Sequence, residues 1–230
     1  MPMAISRPIL PTSPKPERAR VPPGRFSQKA PEANILMNQP VIDFLLTRSS
    51  VPISELKEPG PSDAEIETII RAASRVPDHG RLEPWRFILY RGEARHRIGE
   101  MLAELAEKRE GPLTDVRRDQ ERARFSRAPL VVGVVSVPKA HPKIPDWEKF
   151  LSGGAAAMTL VMAANALGYR SSWISNWYAD VPEGRAILGF APEERVIGFV
   201  HIGSFAGTLP ERPRPDVASV YADYSGPWKG

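Results

Sequence analysis

Cysteine is absent from this chain of 230 residues. That absence removes disulfides, thiolate nucleophiles, cysteine-ligated zinc and iron–sulfur clusters together. It fits a reducing compartment, so a cytoplasmic location is expected, and any redox chemistry must be carried by a bound cofactor. Histidine is scarce at four. His79 follows Asp78, His96 lies in a charged stretch, His141 lies in a proline-rich loop, and His201 lies inside a strand-like run. A satisfied core or sheet-face histidine is expected at 201, and no metal site is expected anywhere. Long apolar runs are missing too, since none reaches the roughly 18 residues of a membrane span. The longest candidate, residues 153–167, contains Thr159 and Asn165, so a soluble protein without a membrane partner is expected. There is no Gly-x-Ser-x-Gly elbow and no His-Glu-x-x-His pair. The segment Gly203-Ser204-Phe205-Ala206-Gly207 lacks the spacing and the downstream acidic residue of a dinucleotide-binding turn, which argues against a nicotinamide held on a Rossmann unit.

The net charge of +4 and pI near 9.5 suggest a nucleic-acid partner only until the charge is located. Residues 1–36 hold six basic and two acidic side chains, an excess equal to that of the whole chain, so the remainder is neutral and no nucleic-acid partner is required. The same 36 residues contain eight prolines and no periodic apolar pattern. They read as a disordered Pro/Arg-rich arm, or as a miscalled start before Met37, and the folded domain is expected over residues 37–230.

From Met37 onward helices and strands alternate. Residues 41–47 read as a short helix, and Ser62-Asp63-Ala64-Glu65 as a capping box opening a helix that ends near Arg75. Residues 85–90 read as a strand, residues 93–110 and 114–126 as charged helices, and residues 130–137 as a strand covered on both faces. Residues 145–167 form a long helix whose second half is small and apolar nearly all round, so it is buried centrally or against a partner subunit. Gly168 suits the position just past that helix. A strand at 170–174, a helix at 182–188 and a strand at 196–203 follow. The expectation is one α+β domain, with helices on both sides of a sheet of four or five strands.

Three clusters bring cations to loops: Arg48 with Ser49 and Ser50, Arg75 with His79, and Arg212 with Arg214. Guanidinium plus hydroxyl suits a phosphate, because arginine offers a bidentate fork and serine a short donor. The stretch Arg75-Val76-Pro77-Asp78-His79-Gly80-Arg81-Leu82-Glu83-Pro84-Trp85 places polar groups on one rim ahead of a buried aromatic run, which suits a flat, partly apolar anion.

In this order the motifs resemble the nitroreductase family of flavin enzymes, and within it the compact YdjA-like branch. The resemblance implies a mostly antiparallel sheet flanked by helices and a homodimer with FMN at the subunit interface. It implies no catalytic residue of the protein's own: NADH or NADPH passes hydride to flavin N5, and a nitroaromatic, quinone or related small acceptor then takes it in a ping-pong cycle. A flavin-binding carrier or sensor without such turnover is the alternative. By the same resemblance Arg48, Ser49 and Ser50 bind the FMN phosphate, with Arg212 or Arg214 compensating for Ser49 where relatives carry a second arginine. Arg75 and His79 contact the ribityl and isoalloxazine portion, and Glu83 stands where glutamine is common. Trp173, Ile174 and Ser175 form the later flavin segment, with Ile174 in place of an arginine. Ala163, Ala164, Asn165, Ala166, Leu167 and Gly168 fall where the branch meets the nicotinamide.

Overall fold

In the computed structural model, residues 37–224, 226 and 227 are described, so the arm expected at residues 1–36 lies outside them. From Pro40 onward the described residues form one compact unit. Helix α1 (Gln39–Thr47) buries none of its side chains, and Val41, Ile42, Leu45 and Leu46 are exposed. Helix α2 (Asp63–Ala73) is opened by the expected capping box. The Ser62 hydroxyl accepts from the Glu65 backbone N–H, and the Glu65 carboxylate accepts from the Ser62 N–H at 2.8 Å. Its inward residues Ile66, Ile69 and Ala73 are buried.

Four strands, β1 (Trp85–Arg91), β2 (Leu130–Ser136), β3 (Arg170–Ile174) and β4 (Arg195–Gly203), pair antiparallel in the order β1-β2-β4-β3. Every residue of β2 is buried, as its unbroken apolar run requires. One sheet face presents Leu130, Val132, Val134, Val200 and Ile202 to α2 and to α5 (Asp146–Ala166). The other presents Val131, Val135 and Phe199 to Ile98 and Leu102 of α3 (Glu93–Glu110) and to the region around α6 (Pro182–Ile187). At about 1.5–3 kcal/mol for each large apolar side chain removed from water, these two layers are the main source of stability.

Helix α4 (Asp115–Arg122) is shorter than the expected 114–126. The chain turns after it because Phe125 is drawn wholly into the second layer, against Tyr90, Tyr178 and Phe199, and Arg124 folds back to bond Glu121 at 2.6 Å. At the end of α5 the glycine expectation is met. Gly168 has φ of 93°, a conformation that glycine alone adopts cheaply, and Tyr169 N–H reaches back to the Ala164 carbonyl at 3.1 Å. That turn sets β3 directly beneath the helix.

Along its outer side α5 carries Trp147, Leu151, Ala155, Met158, Met162 and Ala166, all exposed or half-buried, at successive steps of three or four residues. Such an apolar stripe is the surface by which one helix meets another. Among the described residues no helix is long and apolar enough to cross a membrane.

Candidate functional site

The first cluster is assembled by a small satellite core. Val51, Leu56 and Ala128 are buried together, and Phe205 and Leu209 pack against them. The Val51 N–H donates to the Ser171 carbonyl at 3.2 Å, and Lys57 bridges to Ser204 with bonds of 2.8 and 2.9 Å. These contacts lay residues 48–50 beside β3 and bring the loop after β4 to the same place. The result is a cavity of about 260 Å³ walled by Ser49, Ser50, Ser172 and Arg212, with Val51, Pro52, Leu209 and Pro210 as its apolar rim. An adjoining hollow of about 140 Å³ is lined by Arg48, Ser49, Asn165 and Arg170 with Phe44 and Thr47. Three hydroxyls and a guanidinium converging from three chain segments make an anion cradle suited to a phosphate monoester. Arg214 does not join it, and instead donates to Glu211 at 2.7 Å.

Arg75 and His79 belong to a second cluster. The Asp78 carboxylate accepts from the Leu82 and Glu83 N–H groups at 3.0 and 2.8 Å. It closes a tight turn in which Gly80, Arg81 and Glu83 all have positive φ. His79 Nδ1 lies 2.8 Å from Glu148 Oε2. Trp85 Nε1 donates to Ser152 Oγ at 3.1 Å, and Ser152 donates onward to the Pro77 carbonyl at 2.7 Å. The turn is thereby fastened to the first half of α5. Beside it opens a cleft of about 560 Å³ lined by Ser74, Val76, Asp78, Arg81, Glu83 and Trp85, and Arg75 stays exposed.

Along α5, Glu148 and Asn165 are separated by seventeen residues, about 25 Å at 1.5 Å per residue. The hydroxyl cavity with its adjoining hollow and the His79 turn therefore lie at opposite ends of the helix within one subunit.

In β3 the register places Ser171 and Trp173 on the α5 side and Ser172 and Ile174 on the other, opposite Ile202, Val200, His201 and Phe199 respectively. The Ile174 side chain packs into the second core layer. Trp173 and Ser175 are exposed. Of the six residues at the end of α5, Ala164 and Asn165 are buried, Ala163 is half-buried, and Ala166, Leu167 and Gly168 are exposed. The Asn165 amide donates to Val161 O at 2.6 Å and to Ser171 Oγ at 2.8 Å. Ser172 and Arg170 escaped the sequence reading. The signal was there, because strand alternation puts Ser172 on the face opposite Trp173.

Several ionisable groups are buried elsewhere in the fold. Glu121 is 0% exposed. It accepts from Arg117, from Arg124 Nη2 at 2.6 Å and from Trp177 Nε1 at 3.1 Å. Burial pushes its pKa up, but the bonds from Arg124 and Trp177 and the charge of Arg117 outweigh burial and hold it below the ordinary value. The Arg86 fork grips Glu194 with two 2.6 Å bonds, lowering that carboxyl as well.

His201 overturns the expectation of a satisfied histidine. It is 0% exposed, and among the described residues neither ring nitrogen has a hydrogen-bond partner. Its ring lies 6.3 Å from that of Phe125 on an apolar sheet face that offers few acceptors. Burial, with Arg127 adding to it, lowers its pKa to about 3, so the imidazole is neutral. An unmade buried hydrogen bond costs about 1–3 kcal/mol.

With this geometry in place, the comparisons with known proteins are specific. The sequence profile of the Nitroreductase family matches residues 50–204. A protein of Escherichia coli K12 named "Putative NAD(P)H nitroreductase YdjA" is 33% identical over 163 residues, which cover 71% of this chain and 87% of that one. A nitroreductase-like family protein from Bacillus cereus superposes with a TM-score of 0.68 at 19% identity, over 81% of this chain and 96% of that chain. A nitroreductase with bound FMN from Bacteroides fragilis superposes with a TM-score of 0.61 at 21% identity, over 80% of this chain and 98% of that chain. The α+β architecture is thus shared with those structures, and the chain belongs to the nitroreductase family.

Proposed function

We propose that this protein is an FMN-dependent oxidoreductase that draws on NADH or NADPH and reduces a nitroaromatic, quinone or related small acceptor. The observation that carries this reading is the convergence of Ser49, Ser50, Ser172 and Arg212 on one cavity. Their donors fit a phosphate monoester, and the family's FMN-bearing member supplies the identity of the group. Ser49, Ser50, Ser172 and Arg212 hold the phosphate, with Arg48 beside them across Ser49. FMN held there would supply a two-electron redox centre between the nicotinamide and the acceptor. The chain's own residues bind and orient. Arg75 and His79 face the flavin ring system with positive charge or hydrogen-bond donors, and Trp173 and Ser175 offer exposed contacts. The end of α5 from Ala163 to Gly168 seats the nicotinamide, with Ala166, Leu167 and Gly168 exposed to it and Ala164 and Asn165 acting as its support.

A homodimer reconciles the two clusters. One FMN spans less than the length of α5 between Glu148 and Asn165, so it cannot touch both ends in one subunit. A two-fold axis that packs α5 antiparallel on a second α5 sets the His79 turn of one subunit beside the Ser49 cavity of the other. The apolar stripe on α5 and the exposed apolar side chains of α1 supply the surface for that contact.

The test is direct. The purified protein is expected to be yellow, or to become so with added FMN, and to oxidise NADH or NADPH when a nitroaromatic or quinone is present. A colourless protein that cannot be reconstituted with FMN refutes the reading. FMN retention without turnover on any acceptor identifies a carrier or sensor.

A further inference from the structure

Among the described residues, His201 is a wholly buried side chain with both of its polar atoms unpartnered. A leucine or phenylalanine there would join Phe125, Val131 and Phe199 without leaving two nitrogens unbonded. The sheet register supplies a reason for the imidazole. His201 on β4 stands directly opposite Ser172 on β3, and Ser172 is a wall of the phosphate cavity. Opposed residues of an antiparallel pair share a face, with Cβ atoms roughly 4.5–5.5 Å apart. A ring N–H and a hydroxyl that turn toward each other meet across that gap.

We propose that His201 is a positioning residue for the phosphate held by Ser49, Ser50, Ser172 and Arg212: with the phosphate in place the ring, unbonded in this structure, turns so that its N–H donates to Ser172 Oγ, and the Ser172 O–H is thereby aimed at a phosphate oxygen. The proposal rests on the reading of that cavity given above. A neutral imidazole offers one donor and one acceptor, and burial keeps this one neutral. Two hydrogen bonds in series polarise each other, so the hydroxyl becomes a better donor to an anion. His201 does not itself touch the ligand.

Two ligands separate this role from a merely structural one: FMN, and riboflavin, which lacks the phosphate. Apoprotein is titrated with each by quenching of flavin fluorescence, and its melting temperature is recorded. H201L is expected to weaken FMN binding about fivefold, to leave riboflavin binding within about twofold, and to melt no lower than wild type. S172A is expected to weaken FMN similarly, and the double variant no more than S172A alone, since both break one chain of bonds. H201Q keeps an N–H donor and is expected to restore FMN affinity, which holds the proposal to a test if leucine packs poorly. Wild-type FMN affinity in H201L overturns the proposal, as does an equal loss for both flavins or full additivity with S172A. Wild-type protein that binds neither flavin refutes the cavity reading itself, a result distinct from FMN binding that ignores H201L.

Discussion

Replacing Arg212 by alanine tests the proposed phosphate cavity through the one guanidinium among the described residues that wall it. A hydrogen bond from a charged donor contributes about 1.5–3 kcal/mol. Arg212 is exposed on the segment after β4, where salt and water screen it, so the lower figure applies. A loss of about 1.5 kcal/mol is roughly a tenfold rise in Kd for FMN. On the proposed assignment the contact is to the phosphate alone, so riboflavin affinity is expected to stay within about twofold. R214A is the internal control, since that side chain is committed to Glu211 at 2.7 Å, and its FMN affinity is expected to match wild type. The Arg212 contribution is also expected to shrink as ionic strength rises from 0.05 to about 0.5 M, where charges are screened within a few ångströms. The assay is fluorescence titration of apoprotein at two salt concentrations. Equal loss of FMN and riboflavin in R212A, or a larger effect from R214A, refutes the assignment.

Three further outcomes are expected. E121L strands two arginines and the Trp177 N–H around a buried apolar side chain. The two arginines keep some access to water, so a cost near the low end for a broken buried pair, about 3 kcal/mol, is expected by urea unfolding. Acid weakens the fold in two windows. His201 binds its proton only near pH 3 when folded but near 6.5 when unfolded, so stability falls as pH drops below 6.5, by at most about 1.4 kcal/mol per pH unit. The lowered Glu121 and Glu194 carboxyls contribute stability that is present above pH 4.5 and is lost as pH falls through their folded values. H201L is therefore expected to flatten the stability profile between pH 6.5 and 5, above the carboxylate range, in denaturant titrations. Finally, L151D places a charge in the stripe of α5 and is expected to shift the protein to monomer by sedimentation and to abolish FMN retention. A dimeric, yellow L151D refutes the antiparallel α5 contact.

Secondary structure was legible where local chemistry decides it. Ser62 and Glu65 announce their own cap, the unbroken apolar run of β2 requires burial on both faces, and Gly168 marks the end of α5. The end of α4 was not legible, because Phe125 leaves the helical pattern to fill a core built by distant Tyr90, Tyr178 and Phe199. The clusters of the candidate site could be picked out by composition, but not how they partition. Arg212 and Arg214 look alike in sequence, and only the packing of Leu209 beside Val51 brings one of them to Ser49. The separation of the His79 turn from that cavity likewise depends on where each meets α5. The two bare nitrogens of His201 were beyond sequence reasoning, since strand patterning predicts which face a residue takes and not which partners wait there.

The strand order β1-β2-β4-β3 also governs how the chain matures during synthesis. Among the described residues β3 pairs with β4 alone, and β4 is the last strand to be made. Until Gly203 leaves the ribosome, β3 has no neighbour and one edge of the valine-rich β2 is open, so the nascent chain carries its stickiest segment uncovered for tens of residues of translation. Arg212 emerges later still. The ligand cavity is therefore completed only after the sheet has closed, and cofactor capture follows the sealing of the aggregation-prone edge.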